Sequence, residues 1–181
     1  SPSGQGVQTG ATWGLDRVDQ PTRTLNGIYR YTATGAGVTA YIIDTGISAG
    51  HTDFGGRASG VFTSINDGRG ATDCHGHGTH VAGTVGGTRW GVAKTVALRG
   101  VRVLDCSGSG SYSGVIAGID WVTYTHSGPS VANMSLGGGF SQAVNDATTA
   151  SINEGVSYAI AAGNSAANAC SSSPSSTPLA L

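Results

Sequence analysis

Residues 38–46 read VTAYIIDTG, an apolar run rich in β-branched residues that ends on an acidic residue and a glycine. A run of this kind, preceded by Gly37, predicts a buried β-strand over residues 38–43. Asp44 follows directly, so the sheet would hold its carboxylate rigidly while it projects into a cleft. Most aspartates at strand ends only cap a turn, and Asp44 needs further evidence before it counts as functional.

The rest of the chain alternates between strand and helix patterns. Strands are predicted at residues 96–104, 131–136 and 156–161, and helices at residues 79–85, 112–124 and 141–154. This alternation predicts an α/β fold, with a mainly parallel sheet covered by helices on both faces. In such sheets, ligands bind beyond the carboxyl ends of the strands. Polar and glycine-rich residues follow three strands, at 44–46, 135–138 and 162–164, and predict an active edge there.

Composition argues against several kinds of partner. Charged residues make up 10% of the chain and the formal net charge is −1. The chain therefore lacks the excess of positive charge that binding to nucleic acid or an anionic membrane requires. No apolar run reaches the roughly 18 residues of a membrane helix. The run Gly108-Ser109-Gly110 lacks the G-x-G-x-x-G spacing of a dinucleotide site. Few charges and 31 glycines are common among secreted hydrolases, and the polar residues 1–10 predict a mature form without a signal peptide.

Residues 73–83, DCHGHGTHVAG, carry the densest chemistry in the sequence. In one interpretation, a histidine at a helix N-terminus is the general base of a Ser-His-Asp triad and is oriented by Asp44. In another, His75, His77 and His80 hold zinc in a hydrolase, because imidazole and thiolate groups are good zinc ligands. The spacing of these residues alone leaves both interpretations open.

Four motifs, taken in chain order, resemble those of the subtilases, the subtilisin-like serine proteases. They are the Asp motif at residues 42–47 (IIDTGI), the His motif at 77–83 (HGTHVAG), the cleft segment at 135–138 (SLGG) and the oxyanion-Asn motif at 161–164 (AAGN). Residues 13–20 and 102–106 make the likeness strongest to the proteinase K branch and its aqualysin-like members. The resemblance favours the triad over zinc and implies a subtilisin-like three-layer α/β fold.

The resemblance also implies a role for each matching residue in peptide-bond hydrolysis. His77 would take and return a proton, Asp44 would orient His77, and the amide of Asn164 would donate to the oxyanion. The residues that would contact a polypeptide substrate are Gly108, Ser109, Gly110, Tyr112, Ser135, Leu136 and Gly137 along an extended backbone, with Ala161, Ala162 and Gly163 walling one side-chain pocket. Recognition through backbone predicts broad specificity, with a preference for apolar or aromatic residues.

Three cysteines leave one without a partner if a disulfide forms. The resemblance implies a disulfide between Cys74 and Cys106, and it aligns Cys170 with a cysteine whose partner lies further downstream in the relatives. An odd count is then expected. A propeptide or protein inhibitor as partner, secretion to the extracellular space and a monomeric state are further implications.

Structural calcium is implied at two places. The first is a loop of Asp16, Asp19, Gln20 and Asn26, in which Ile28 replaces a liganding polar residue. The second would use the backbone carbonyls of Pro178 and Ala180. Oxygen ligands suit calcium, although ordinary surface polar residues explain the same pattern.

The nucleophile of the family lies in a Gly-Thr-Ser-Met-Ala sequence, and no such sequence occurs here. The tail at residues 170–181, CSSSPSSTPLAL, is expected to be a loop or a frayed end. We therefore expect residues 1–181 to form one subtilase catalytic domain that is incomplete at its C-terminal end and exposes apolar faces. The alternative is a peptide-binding module without catalytic activity.

Overall fold

A computed structural model describes residues 6–181. In chain order, its strands are β1 (Gly6–Thr9), β2 (Ile28–Tyr31), β3 (Thr39–Asp44), β4 (Ala58–Thr63), β5 (Ala97–Arg102), β6 (Ser130–Met134), β7 (Gly138–Gly139), β8 (Val156–Ile160) and β9 (Ser172–Ser173). The helices are α1 (Trp13–Val18), α2 (His77–Gly86), α3 (Tyr112–Thr125) and α4 (Gln142–Asn153).

The central sheet has five strands in the order β4-β5-β3-β6-β8, and all of its pairings are parallel. β3 lies in the middle, and its residues from Ala40 to Asp44 are buried. An unbroken apolar run is what a strand covered on both faces requires. The α/β fold with a mainly parallel sheet, predicted from the alternating pattern, is confirmed.

Helices cover the two faces of this sheet unequally. On one face α3 and α4 enclose a core that includes Ile43, Val101 and Ile119. On the other face α2 packs over β3 and β5 around Ile42 and Leu98. The layers therefore leave the carboxyl ends of β3, β5 and β6 open at one edge, where the predicted site residues lie.

Part of the second face is left open over β6 and β8. A shallow depression of about 190 Å³ is lined there by Ala40, Ile42, Val85, Val131, Ala132, Asn133, Ser157, Tyr158, Ala159 and Leu181. Val131 is 38% exposed and Leu181 is 88% exposed. Apolar side chains therefore lie at the surface on this part of the sheet.

The tail at residues 170–181 is mostly the loop that its composition predicts, but it is ordered and not frayed. β9 pairs with β7, and Ser173 and Thr177 are buried. Leu181 exchanges hydrogen bonds with β8, from its N–H to Tyr158 at 2.9 Å and from the Ile160 N–H to its carbonyl at 3.0 Å. Serine and proline content predicted the loop but not its contacts, because the partners of this segment are distant in sequence.

The seven predicted elements appear with shifts of at most two residues at their starts. Ser141 caps α4 as expected, accepting from the Val144 N–H at 3.4 Å. β4 was missed because Gly60 and Ser59 interrupt its apolar pattern, and the β1–β2 hairpin and α1 were missed as well. No helix among residues 6–181 has both the length and the apolarity to cross a membrane.

Candidate active site

Asp44 and His77 meet at the carboxyl edge of the sheet. His77 Nδ1 lies 2.8 Å from Asp44 Oδ1 and 2.9 Å from Oδ2. Asp44 is fully buried, whereas 44% of the His77 side chain is exposed. A carboxylate can only accept, so Nδ1 carries the proton of this bond and Nε2 is left as the basic nitrogen. The arrangement therefore presents a base to the cleft and keeps its orienting anion away from water.

The local chain geometry brings the two side chains together. Asp44 is the last residue of β3 and His77 the first residue of α2. Gly46 and Gly76 have φ values of 103° and 105°, a region that favours glycine. These two glycines let the chain turn sharply after the strand and immediately before the helix.

Asp73 caps the start of α2. Its Oδ1 accepts from the N–H groups of His75 and Gly76, both at 2.9 Å, and its Oδ2 accepts from the N–H of Thr79 at 3.0 Å. Burial raises the pKa of Asp73, but hydrogen bonds from Gly76, Thr79 and His75 outweigh it and hold the pKa below its ordinary value. Asp73 is therefore an anion at a helix N-terminus, where a negative charge is favoured.

An open cleft of about 450 Å³ runs past His77. It is lined by Thr45, His75, His77, Leu104, Ser107, Gly108, Ser109, Gly110, Tyr112, Val115, Ser135, Leu136 and Gly137. All seven residues expected along an extended peptide backbone lie on this wall. Sequence reasoning did not assign five further lining residues to the cleft, namely Thr45, His75, Leu104, Ser107 and Val115. Leu104 and Val115 could only have been found from the position of their elements beside the edge.

Tyr112 has a second, structural contact. Its hydroxyl donates to the carbonyl of Gly139 at 2.6 Å and lies 3.3 Å from the carbonyl of Ser173. The hydroxyl of Tyr112 therefore links α3 to β7 and β9 by hydrogen bonds, and Tyr112 also lines the cleft. Tyr112 offers the cleft an apolar surface more than a hydrogen bond.

A neighbouring depression of about 370 Å³ holds the expected oxyanion residue. Its lining includes Asn164 with Ala161, Gly163 and the segment from Ser135 to Gly139. Ala162 is exposed but does not line it. Ser135, Leu136 and Gly137 line both depressions, so they form the wall between His77 and Asn164.

The zinc interpretation of the histidine cluster is contradicted by the placement of His80. His75 and His77 line the cleft, whereas His80 faces a separate depression with His51 and Trp90. His77 Nδ1 is already bound to Asp44. Within residues 6–181, the one compact group of three or more acidic, histidine or cysteine side chains is Asp67 with Cys74 and Cys106. Both of those sulfurs are in a disulfide.

Cys74 and Cys106 form the disulfide that the family resemblance implies, with Cα atoms 4.9 Å apart. It joins the loop before α2 to the loop after β5, which forms one wall of the cleft. Cys170 is a free, exposed thiol in the part of the chain that the structure describes.

Three of the four expected calcium ligands, Asp16, Asp19 and Gln20, lie together at the end of α1, whereas the side-chain oxygen of Asn26 accepts from the Ile28 N–H at 2.9 Å. Asp16 is 2% exposed and accepts from the N–H of Asn26 at 3.2 Å. The amide nitrogen of Gln20 lies 3.1 Å from Asp16 Oδ1 and 3.5 Å from Asp19 Oδ1, so two carboxylate oxygens converge on one point. Turning that amide would place its oxygen there as well, and an oxygen-rich set of this kind fits calcium.

The second expected cation position lies in the tail. Among the described residues, no N–H or O–H group donates to the carbonyl oxygen of Pro178 or of Ala180. Both oxygens are therefore free to contact a cation or water.

A parallel α/β sheet with an aspartate–histidine pair at its carboxyl edge is the arrangement of subtilisin-like proteins. Residues 35–181 match the subtilase family, Peptidase_S8, and the chain belongs to this family.

Individual relatives support this assignment. The chain is 58% identical to the "Extracellular serine proteinase" of Thermus sp. (strain Rt41A), with 97% of this chain and 43% of the relative covered. It is also 58% identical to "Alkaline serine exoprotease A" of Vibrio alginolyticus, with 92% of this chain and 31% of the relative covered. The crystal structure of a cold adapted subtilisin-like serine proteinase superposes with a TM-score of 0.93 at 53% identity, over 96% of this chain and 63% of that one. The chain thus spans less than half the length of these two curated relatives.

Proposed function

We propose that this chain is part of a secreted subtilisin-type serine endopeptidase and contributes two members of its triad. The observation that carries the proposal is the His77–Asp44 pair, with a buried anion on one ring nitrogen and an open cleft on the other side. Family membership adds support, since relatives are named as serine proteinases.

In the proposed reaction, His77 Nε2 takes the proton of a serine hydroxyl as that oxygen attacks the scissile carbonyl. Asp44 holds the tautomer and stabilises the imidazolium that forms. The imidazolium then gives its proton to the leaving amine, and an acyl-enzyme remains for water to hydrolyse by the same steps. The side chain of Asn164 would donate to the oxyanion.

The nucleophilic serine of this scheme belongs to sequence outside residues 1–181. In the described residues, no hydroxyl group hydrogen-bonds to His77 Nε2. The curated relatives are more than twice as long as this chain, and an apolar face over β6 and β8 is open for further structure to pack on. In this proposal, residues 1–181 are one incomplete catalytic domain.

Substrate binding would be extended and broad. The segments 108–110 and 135–137 both line the cleft and present mainly backbone, which suits pairing with a polypeptide strand. Leu104, Val115 and Tyr112 line the same cleft and make its surface partly apolar. Apolar or aromatic side chains are therefore the expected preference.

Two features support an extracellular protein. The Cys74–Cys106 disulfide requires oxidising conditions to persist, and one relative is named as extracellular.

We propose a structural calcium ion at Asp16, Asp19, Gln20 and Asn26, and a second cation contact at Pro178 and Ala180. Calcium would order surface loops and take no part in the chemistry.

The second candidate function is a peptide-binding module without catalysis. It is favoured by one observation, the missing hydroxyl partner of His77 Nε2 among the described residues. Such a module would share the cleft and the family but would form no acyl-enzyme.

The deciding experiment measures the intact mass of the natural protein and treats it with a fluorophosphonate serine probe. A mass well above the 17.9 kDa of this sequence, with one covalent adduct that is lost in His77→Ala, supports the protease. A mass equal to that of this sequence with no adduct, together with peptide binding in the cleft, supports the module.

A further inference from the structure

Thr45 connects the cap of α2 to the aspartate–histidine pair. The Thr45 hydroxyl donates to Asp73 Oδ1 at 2.9 Å, and the oxygen of this hydroxyl accepts from the Gly78 N–H at 2.9 Å. The N–H of Thr45 donates to Asp44 Oδ1 at 2.6 Å. Thr45 is 0% exposed although it borders the cleft, and its bonds to Asp44 and Gly78 are buried, so water does not compete for these two bonds. One residue therefore contacts the end of β3, the start of α2 and Asp73.

The other oxygen of Asp73 extends the network. Thr79 donates to Oδ2 through its hydroxyl at 2.5 Å as well as through its N–H. The Thr79 hydroxyl oxygen in turn accepts from the N–H of Ser48 at 2.9 Å. Asp73 thus holds both the helix start and the chain that follows β3, from two sides.

Two glycines allow the strand end and the helix start to approach this closely. A Cβ atom on Gly46 would collide with the Ala71 carbonyl and the Asp73 N–H. A Cβ atom on Gly78 would collide with the Gly46 carbonyl and crowd the Thr45 hydroxyl. Because the backbones are in contact here, a small shift of Asp73 or Thr45 is passed on to His77.

We propose that Asp73 is a positioning residue, which acts through Thr45 to set the geometry of the His77–Asp44 hydrogen bond. Asp73 contacts neither of these side chains and no reacting atom. The inference rests on the proposed function, since it assigns Asp73 a part in placing the base of that reaction. The negative charge of Asp73 also helps to hold the start of α2 in place. An anion satisfies N–H groups at the helix start that a neutral side chain would leave partly unpaired.

The test compares Asp73→Asn, Thr45→Val and Thr45→Ser in the full-length protein. Asp73→Asn keeps the shape of the side chain but turns one acceptor oxygen into a donor. Thr45→Val removes the linking hydroxyl, and Thr45→Ser restores it. Asp53→Asn is the matched control, since Asp53 also caps backbone N–H groups, at Arg89 and Trp90, away from the cleft.

We expect kcat for a peptide substrate to fall about 10- to 100-fold in Asp73→Asn and Thr45→Val, with KM nearly unchanged, because a base displaced by a fraction of an ångström loses that much. The downfield proton NMR signal of His77 Nδ1–H should shift or broaden in both. Thr45→Ser should keep the signal and most of kcat. Asp53→Asn should lower only the melting temperature.

A merely structural Asp73 would give a lower Tm with an unchanged NMR signal and kcat, and that result overturns the inference. If Asp73→Asn does not fold, the comparison of Thr45→Val with Thr45→Ser tests the inference instead. Equal His77 Nδ1–H signals in these two variants would overturn the inference. If the wild-type protein takes no fluorophosphonate adduct, the proposed function fails. The NMR signal would still report whether Asp73 sets the His77–Asp44 bond, so the two failures are separable.

Discussion

The guanidinium of Arg102 donates to both carboxylate oxygens of Asp67, at 2.8 and 2.6 Å. Arg102 is fully buried at the end of β5, where it lies opposite Asp44 in the register of the sheet. It also donates to the carbonyl of Gly70 at 3.0 Å and contacts the sulfur of Cys74 at 3.3 Å. The buried guanidinium of Arg102 therefore links the loop before α2 to β5, the strand beside Asp44.

Asp67→Asn should destabilise the protein in a way that depends on pH. The hydrogen bond from Arg102 holds the pKa of Asp67 at about 2, below its ordinary value of 3.8. A lowered carboxyl pKa contributes stability above pH 4 or so, and that stability is lost as the pH falls towards 2. We expect Asp67→Asn to lower Tm at pH 7, because the buried guanidinium of Arg102 loses its anionic partner, and the difference from wild type to shrink between pH 4 and pH 2, measured by calorimetry. Asp120→Asn, on the exposed side of α3, is the control that should leave Tm unchanged, and a difference that is constant with pH would contradict the ion pair.

Tyr158→Phe should reduce the loss of folding stability that wild type shows above pH 10. Burial raises the pKa of Tyr158 to about 12 from 10.0, against a smaller opposite effect of its hydrogen bond to Ser151. Because the folded pKa is raised, the tyrosine contributes stability below pH 10 that is lost as the pH rises from 10 towards 12. We expect urea unfolding of Tyr158→Phe to show about 1 kcal/mol less stability at pH 7 and a flatter decline above pH 10. Tyr124→Phe, at a position 86% exposed, should match wild type, and an unchanged alkaline slope in Tyr158→Phe would count against this reasoning.

The parts of the site that the sequence could predict are those encoded within one element. Asp44 and His77 lie next to elements whose own patterns are clear, but the pattern left a zinc site open as well, and the family resemblance predicted that the two residues form a pair. The role of Asp73 could not be predicted, because Thr45 becomes its partner only after α2 has packed against the end of β3. β9 was missed for the same reason, since its two serines form a strand only against Gly138 and Gly139.

Calcium should stabilise the wild-type protein through the loop after α1. A ligand at 100 times its Kd adds about 2.7 kcal/mol to the free energy of unfolding. We expect Tm to fall when EDTA is added and to recover with calcium, and we expect Asp19→Asn to lose most of this response. Asp19 is the better choice than Asp16, because Asp16 is buried and accepts from two backbone N–H groups, those of Asn26 and Gly27, whereas Asp19 accepts from one, that of Arg30. Asp146→Asn, an exposed position on α4, should respond to EDTA as wild type does, and an equal response in Asp19→Asn would place the calcium elsewhere.

Asn164→Ala separates an oxyanion role from a binding role. An oxyanion exists only after attack on the carbonyl, so a donor aimed at it stabilises the transition state and not the bound substrate. In the full-length protein we expect kcat to fall about 100- to 1,000-fold with KM nearly unchanged. Asp44→Asn should cost more, about 10,000-fold, because it leaves His77 in the wrong tautomer. Ser165→Ala, the next residue on the same wall, is the control that should keep kcat. A rise in KM at constant kcat in Asn164→Ala would instead assign Asn164 to ground-state peptide binding, as a non-catalytic cleft requires.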